Sequence, residues 1–519
     1  DRQSRSTGVR MLIAALAGAT AILAFAPFGY WPLQIASLAI LFYQILRANS
    51  IKRSFLVGWA FGFGWTAAGV HWLYIAMHDF GGMAAPLAAL AVALLTLFLG
   101  AYAGLVMAAA AWLRRRWTLS LPIMLLLVLP ALWAVGEWLR GTVFTGFPWV
   151  VAGYAHNISP LAGYAPLLGV YGLGWLAALV AGALLLLRHR SRKFALALML
   201  MVIGAGWGLK SIAWTHAEGA LISVRLLQGN VAQDEKFNPV RIEGALKMYQ
   251  DAITAGRADL IALPETAVSL FPNQLPSDYL PSLARFAQET GSHVLLGIPL
   301  TDGPSLFSNS ALGIAPASAS APSQPYRYDK HHLVPFGEFI PLGFRWFVDL
   351  MTIPLGDFQR GAARQAAFLV KDQRILPNIC YEDLFGEEIA AQLAAPQQGQ
   401  KPATLLLNIS NLAWYGESIA IDQHLQISQM RTLETGRPML RSTNSGATAI
   451  IDGRGQIVAQ LAPYTSGTLA ANVQGMAGMT PYILLGNWLF LGLSALALAA
   501  AWLLRHRWRA AADDAARQR

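Results

Sequence analysis

The sequence is poor in cysteine and in charge. One cysteine, Cys380, occurs in 519 residues. That excludes an intramolecular disulfide framework. It also singles out the thiol, which reads either as a small buried hydrophobe or as a nucleophile. Only 13% of the residues are charged, against 55% hydrophobic, whereas a soluble globular chain carries roughly 25% charged. An ordinary soluble protein is excluded, and an integral membrane part is expected. The formal net charge of +10 does not point to nucleic acid. Residues 219–475 hold more Asp and Glu than Lys and Arg, so the positive surplus lies beside the apolar runs. A nucleic-acid-binding domain carries a basic face of its own. His331 and His332 are adjacent, but no further His, Asp or Glu cluster falls at metal-ligand spacing. No metal site is expected.

What the chain has in excess is long apolar runs. They lie at about 10–26, 31–48, 54–77, 84–113, 121–139, 160–187, 194–214 and 482–504, and most reach the ~20 residues that a helical span needs. The first two are joined by a short turn at 27–32 and read as a helical hairpin. Basic residues fall on alternate connections. Arg2, Arg5 and Arg10, then Arg47, Lys52 and Arg53, then Arg114, Arg115 and Arg116 share one side. Arg188, Arg190, Arg192 and Lys193, then Arg505, Arg507, Arg509, Arg517 and Arg519, join them. The intervening connections hold only Arg140 and Lys210. Positive residues stay inside. The expectation is eight transmembrane helices, both termini cytoplasmic, and an insert outside. The expected domains are 1–218 with seven helices, 219–475 as the insert, and 476–519 with the eighth helix and a basic tail. Glu137, at membrane depth, reads as a structural partner of Arg140.

The insert changes character. Short β-type runs alternate with helical ones, and the strands (LIAL, VLLGI, TLLLNI) are near-continuous apolar runs. Strands buried on both faces look like this, so the insert reads as one α/β domain. Three of its motifs carry chemistry. LPET holds Glu265. YRYDKHHLVPFGEFIP holds Lys330 and Glu338. In LPNICYEDLF a β-type run at 374–379 delivers Cys380 to a turn, with Glu382 and Asp383 behind it. Charged groups at the ends of buried strands gather in the crevice above a sheet. A carboxylate beside a thiol can take its proton, and a lysine beside both can hold the oxyanion of acyl attack. The residues alone leave a transferase, a membrane-anchored hydrolase and a binding domain open.

The order Glu265, Lys330, Cys380, with this local wording, resembles the nitrilase superfamily of carbon–nitrogen hydrolases. Placed between a seventh and an eighth helix, such a domain resembles the apolipoprotein N-acyltransferase family. The matching patches are TGFPW at 145–149, QGN at 228–230, PET at 264–266, LVPFGEFIP at 333–341, CYED at 380–383, NISN at 408–411 and GRPMLRSTNSG at 436–446. The resemblance implies a polytopic α-helical membrane bundle with an extracytoplasmic, nitrilase-like αββα sandwich domain. It implies a multi-pass protein of the bacterial inner membrane, with the catalytic domain periplasmic and no cofactor. Glu265 would be the general base, Lys330 the oxyanion-stabilising cation and Cys380 the nucleophile. Glu338, Tyr381 and Glu382 would support them. Phe237 stands where the family usually has Trp, and would keep a lipid or peptide contact. The donor would be a phospholipid, phosphatidylethanolamine, giving its sn-1 chain. The acceptor would be the α-amine of a diacylglyceryl-cysteine lipoprotein. Residues 339–358 are too apolar for an exterior loop and too broken for a span. They read as an arm dipping into the membrane interface, with Phe339 and Trp346 as lipid contacts and Trp414 in a second such element.

Overall fold

The computed structural model describes residues 2–236, 238–303, 306–316, 325–341, 343–345, 358–397 and 399–517. Phe237, Trp346 and most of the expected arm lie outside them. The chain forms two compact units. One comprises Asp1–His71, Pro86–Ala213 and Leu485–Arg519, the other Trp72–Ala85 and Trp214–Leu484.

The first unit is helical. Among the described residues, six stretches are long and apolar enough to cross a membrane: Thr7–Ala24, Ala85–Trp117, Leu121–Thr145, Pro160–Arg188, Arg192–Leu209 and Trp488–Arg505. Pro32–Leu46 is a shorter apolar helix. Ile51–Val70 is a further helix, capped by the Ser50 hydroxyl, which accepts the Arg53 N–H at 3.1 Å. It stops at Val70, short of the apolar run it was read from, because Trp72–Ala85 folds with the other unit. Small residues let helices touch. A Cβ on Gly18 would strike the Phe61 carbonyl, and one on Gly64 the Ala15 carbonyl. Close backbone approach is what holds helices together in lipid, where apolar burial drives little. Glu137 and Arg140 form an i,i+3 ion pair at 3.8 Å. Glu137 accepts the Ala152 N–H at 2.8 Å, and Arg140 donates to the carbonyls of Phe147 and Trp149 at 3.0 and 2.8 Å. The pair thus fastens the irregular backbone that follows its own helix.

The second unit holds the sheets. Its strands are β1 (His216–Ala217), β2 (Ile222–Gln228), β3 (Leu260–Ala262), β4 (His293–Gly303), β5 (Leu306–Ile314), β6 (Tyr326–Asp329) and β7 (Phe368–Val370). They continue as β8 (Gln373–Ile379), β9 (Leu405–Ser410), β10 (Met439–Thr443), β11 (Ala449–Ile451), β12 (Ile457–Gln460), β13 (Gly467–Val473) and β14 (Met476–Ala477). Two six-stranded sheets run β13-β2-β3-β4-β5-β6 and β12-β11-β10-β9-β8-β7, and β1 pairs with β14 alone. The strand centres β2-β3-β4 and β8-β9-β10 are parallel, the edges antiparallel.

Side chains alternate across each strand, and here both faces are covered. Val224, Leu226 and Leu295 of one sheet share a core with Ile375, Leu407 and Leu440 of the other. The opposite faces pack on helices. Leu227, Ile261 and Leu296 meet Tyr249, Ile253 and Leu283 of helices Pro239–Thr254 and Tyr279–Thr290. Leu376 and Leu406 meet Ile389 and Leu393 of Gly386–Ala394. Helix, sheet, sheet, helix is the resulting order of layers. The strand ends that lead to Glu265, Lys330 and Cys380 belong to this frame.

Candidate active site

Glu265 follows β3 in the LPET turn. Gly297 of β4 lies beneath that turn: a Cβ there would sit 2.6 Å from the Thr266 nitrogen and 2.7 Å from the Glu265 Cα. The absent side chain lets the Glu265 backbone lie directly on the strand. Lys330 follows β6, and its N–H donates to the Asn309 carbonyl of β5 at 2.8 Å. Cys380 follows β8. Its φ of 51° is left-handed, a conformation costing about 1–2 kcal/mol in a residue with a Cβ, so local bonds must hold it.

These three ends converge. The Lys330 ammonium, 1% exposed, lies 3.3 Å from Glu265 Oε1 and 2.9 Å from Glu338 Oε1. Asn309 Nδ2 bridges the same two oxygens, at 2.8 Å to each. Glu265 Oε2 accepts the Asn411 N–H at 2.9 Å, and Glu338 Oε2 the Val334 N–H at 2.8 Å. A second buried ammonium, Lys236, donates to the Glu265 carbonyl oxygen at 3.0 Å. The Cys380 thiol lies close enough to Glu265, Lys330 and Glu338 for their charges to act on it. On its other side it packs against an apolar cluster that includes Leu412, Ala447 and Tyr415.

Burial and charge set the protonation states. Burial pushes the Cys380 thiol up, the neighbouring Glu265 carboxylate pushes the same way, and Lys330 only partly opposes them. The resting sulfur is therefore a neutral thiol. Burial also pushes Glu265 up, but the Lys330 charge, the Asn309 amide and Lys236 together hold it below its usual range. For Lys330, burial favours losing the proton. Glu338 and Glu265 outweigh it and keep the ammonium charged. The site thus holds an ionised carboxylate beside a protonated thiol, with a permanent cation next to both.

Glu382 is a staple. Its Oε2 accepts the Ile379 N–H at 2.7 Å and the Tyr328 hydroxyl at 3.0 Å, and its Oε1 the N–H groups of His331 and His332 at 2.6 and 3.2 Å. It ties the β6–Lys330 segment to the Cys380 turn. Burial raises its carboxyl to about 7, against the pull of those N–H groups. Tyr381 is buried, with its ring 5.3 Å from Phe385. Phe339 lies under the Arg360 guanidinium, 5.2 Å away, and Trp414 lies edge-on to Phe80 at 6.1 Å. His331 Nδ1 meets the Gly361 carbonyl at 2.7 Å, and His332 Nδ1 meets Glu388 at 2.8 Å. Among the described residues no group of three or more His, Cys, Asp or Glu is arranged to hold a metal ion.

Sequence reasoning missed Asn309, Lys236, His424 and Arg441 as individual residues. Asn411 and Arg441 lie in the NISN and GRPMLRSTNSG patches, which carry the family resemblance but single out neither residue. Nothing local marked Asn309, which sits within β5, or His424, which sits within the helix Ala420–Thr435.

Similarity to known proteins divides along the chain. Residues 17–183 match the apolipoprotein N-acyltransferase N-terminal domain, and residues 224–482 match the carbon-nitrogen hydrolase domain. A relative named apolipoprotein N-acyltransferase from Ralstonia nicotianae is 49% identical, covering 95% of this chain and 93% of the relative. Relatives of the same name are each 43% identical in Bordetella bronchiseptica, over 94% of this chain and 96% of the relative, and in Nitrosomonas europaea, over 95% and 97%. With both domains matched in order and these identities sustained over nearly its whole length, the chain belongs to the apolipoprotein N-acyltransferase family.

Proposed function

We propose that this chain transfers a fatty acyl group from a membrane phospholipid, through a thioester on Cys380, to the α-amine of a diacylglyceryl-cysteine lipoprotein. The observation that carries the reading is the buried Lys330 ammonium held between the Glu265 and Glu338 carboxylates, with the Cys380 thiol within reach of their charges. The sulfur attacks the ester carbonyl while its proton passes to Glu265. The electron pair displaced onto the carbonyl oxygen is held by Lys330 and by backbone N–H groups beside Cys380. Collapse expels the lysophospholipid alkoxide, which takes the proton from Glu265. In the second half the α-amine attacks the thioester, Glu265 takes a proton from nitrogen, and the sulfur leaves and is reprotonated. An amide and the free thiol result, and the kinetics are ping-pong.

Phosphatidylethanolamine is the proposed donor, through its sn-1 chain. Glu338, Tyr381 and Glu382 hold the triad in place, and Phe237, Phe339, Trp346 and Trp414 contact lipid or lipopeptide. In this reading residues 1–218 cross the bacterial inner membrane as seven helices. Residues 219–475 form the periplasmic catalytic domain. The eighth helix lies in 476–519, and both termini are cytoplasmic. The placement of basic residues supports this orientation.

The test is a chase. Enzyme acylated from labelled phosphatidylethanolamine is freed of donor and mixed with a diacylglyceryl-cysteine peptide or with buffer. Label should move to the peptide as an amide and stay on the enzyme in buffer. Release as free fatty acid, equally fast in both mixtures, would make the chain a hydrolase.

A further inference from the structure

The Cys380 carbonyl oxygen is held from behind the nucleophile. His424 Nε2 lies 3.2 Å from it, and Asn408 Nδ2 3.4 Å. His424 is wholly buried in the helix Ala420–Thr435. Its other ring nitrogen, Nδ1, lies 2.9 Å from Arg441 Nη2. A guanidinium can only donate. Nδ1 must therefore accept, and the ring proton must sit on Nε2, facing an oxygen that can only accept. Two independent contacts demand the same tautomer. Arg441 is fixed in turn by Asp383 Oδ2 at 3.3 Å and by the Ser428 hydroxyl, which also bonds Asp383. All four side chains are fully buried. Burial and the Arg441 charge hold His424 well below its ordinary range, so the ring stays neutral and the tautomer persists.

A trans peptide is planar, with its C=O and N–H pointing in opposite directions. A donor anchored on the Cys380 carbonyl therefore sets the direction of the Tyr381 N–H. Hydrogen bonding to the carbonyl also polarises the amide and strengthens its N–H as a donor. The left-handed φ of Cys380 needs such restraint. Glu382 supplies it on the preceding side, through the Ile379 N–H. His424 supplies it on the following side.

We propose that His424, fixed by Arg441, Asp383 and Ser428, is a positioning residue. It orients the Cys380–Tyr381 peptide so that the Tyr381 N–H meets the oxyanion formed at Cys380. This rests on the acyl-transfer reading above.

The test uses the full-length protein in detergent and two variants. His424→Asn leaves an acceptor for Arg441, but its amide is too short to reach the Cys380 carbonyl. His424→Gln places an N–H₂ close to the position of Nε2. Single-turnover acylation by phosphatidylethanolamine is compared with alkylation of Cys380 by iodoacetamide, a displacement that forms no oxyanion. His424→Asn should slow acylation at least ~10-fold, a fraction of the loss seen when an oxyanion donor itself is removed. Its alkylation should stay near the parent rate, and His424→Gln should recover most of the acylation. Parent-like acylation in His424→Asn overturns the proposal. So does an equal fall of acylation and alkylation in both variants, which would mean a general structural role. A parent enzyme that is alkylated at Cys380 but never acylated would instead defeat the acyl-transfer reading.

Discussion

Lys236 and Glu338 both act on the charged pair at the centre of the site, and each has its own signature. Burial pulls the Lys236 ammonium down from 10.5 to about 8, with Glu265 and Cys380 only partly opposing it. Between those values the folded state binds fewer protons than the unfolded chain. Stability from this group therefore rises with pH through that window, and is lost as pH falls through about 8. Lys236→Met should show its largest gain in Tm over the parent below that pH, shrinking toward pH 10.5. Thermal scans of both proteins across the window check it, and a pH-independent difference would mean that Lys236 is not held low. Glu338 shares Lys330 with Glu265. Glu338→Gln should leave the fold intact, yet slow acyl-enzyme formation at least ~10-fold, about 1.4 kcal/mol of barrier. Equal single-turnover rates would remove Glu338 from the mechanism.

At the scale of elements, the site depends on how closely strands and turns approach. Gly297 in β4 is the clearest case, because any side chain there meets the backbone of the Glu265 turn. Gly297→Ala should lower stability by about 1–3 kcal/mol, as overpacking does. It should cut acylation by on the order of 10²-fold, because Glu265, the proposed base, is displaced. Paired measurements of Tm and single-turnover acylation test this, and a stability loss without an acylation loss would contradict it. The central strands of both sheets were legible because both of their faces are buried, which leaves continuous apolar runs such as Leu405–Ser410. Strands β6, β7 and β12 were not. β6 mixes Arg327 and Asp329 with tyrosines, β7 has three residues, and β12 is largely exposed. Pairing with neighbours makes them strands, and pairing leaves no periodic trace in so short a segment. Glu265, Lys330 and Cys380 stood out as charged or reactive groups at strand ends. Asn309 and His424 lie inside regular elements, where a polar side chain reads as one turned to solvent.

At the scale of the whole molecule, hydropathy and the placement of Arg and Lys carry the reading. They do not reveal that Trp72–Ala85 belongs with the α/β unit, because that segment is as apolar as the helix before it. Orientation has a direct test. In a Cys380→Ser background, Lys401→Cys should react with a membrane-impermeant maleimide on intact spheroplasts. Arg190→Cys should react only after permeabilisation. Labelling of both from the same side would break the proposed topology. The chemistry has a more direct one. Intact mass spectrometry of the purified protein after incubation with phosphatidylethanolamine alone should show a single fatty-acyl adduct, removed by hydroxylamine and missing from Cys380→Ala. An adduct that persists in Cys380→Ala, or a parent protein that never gains one, would contradict a thioester on Cys380.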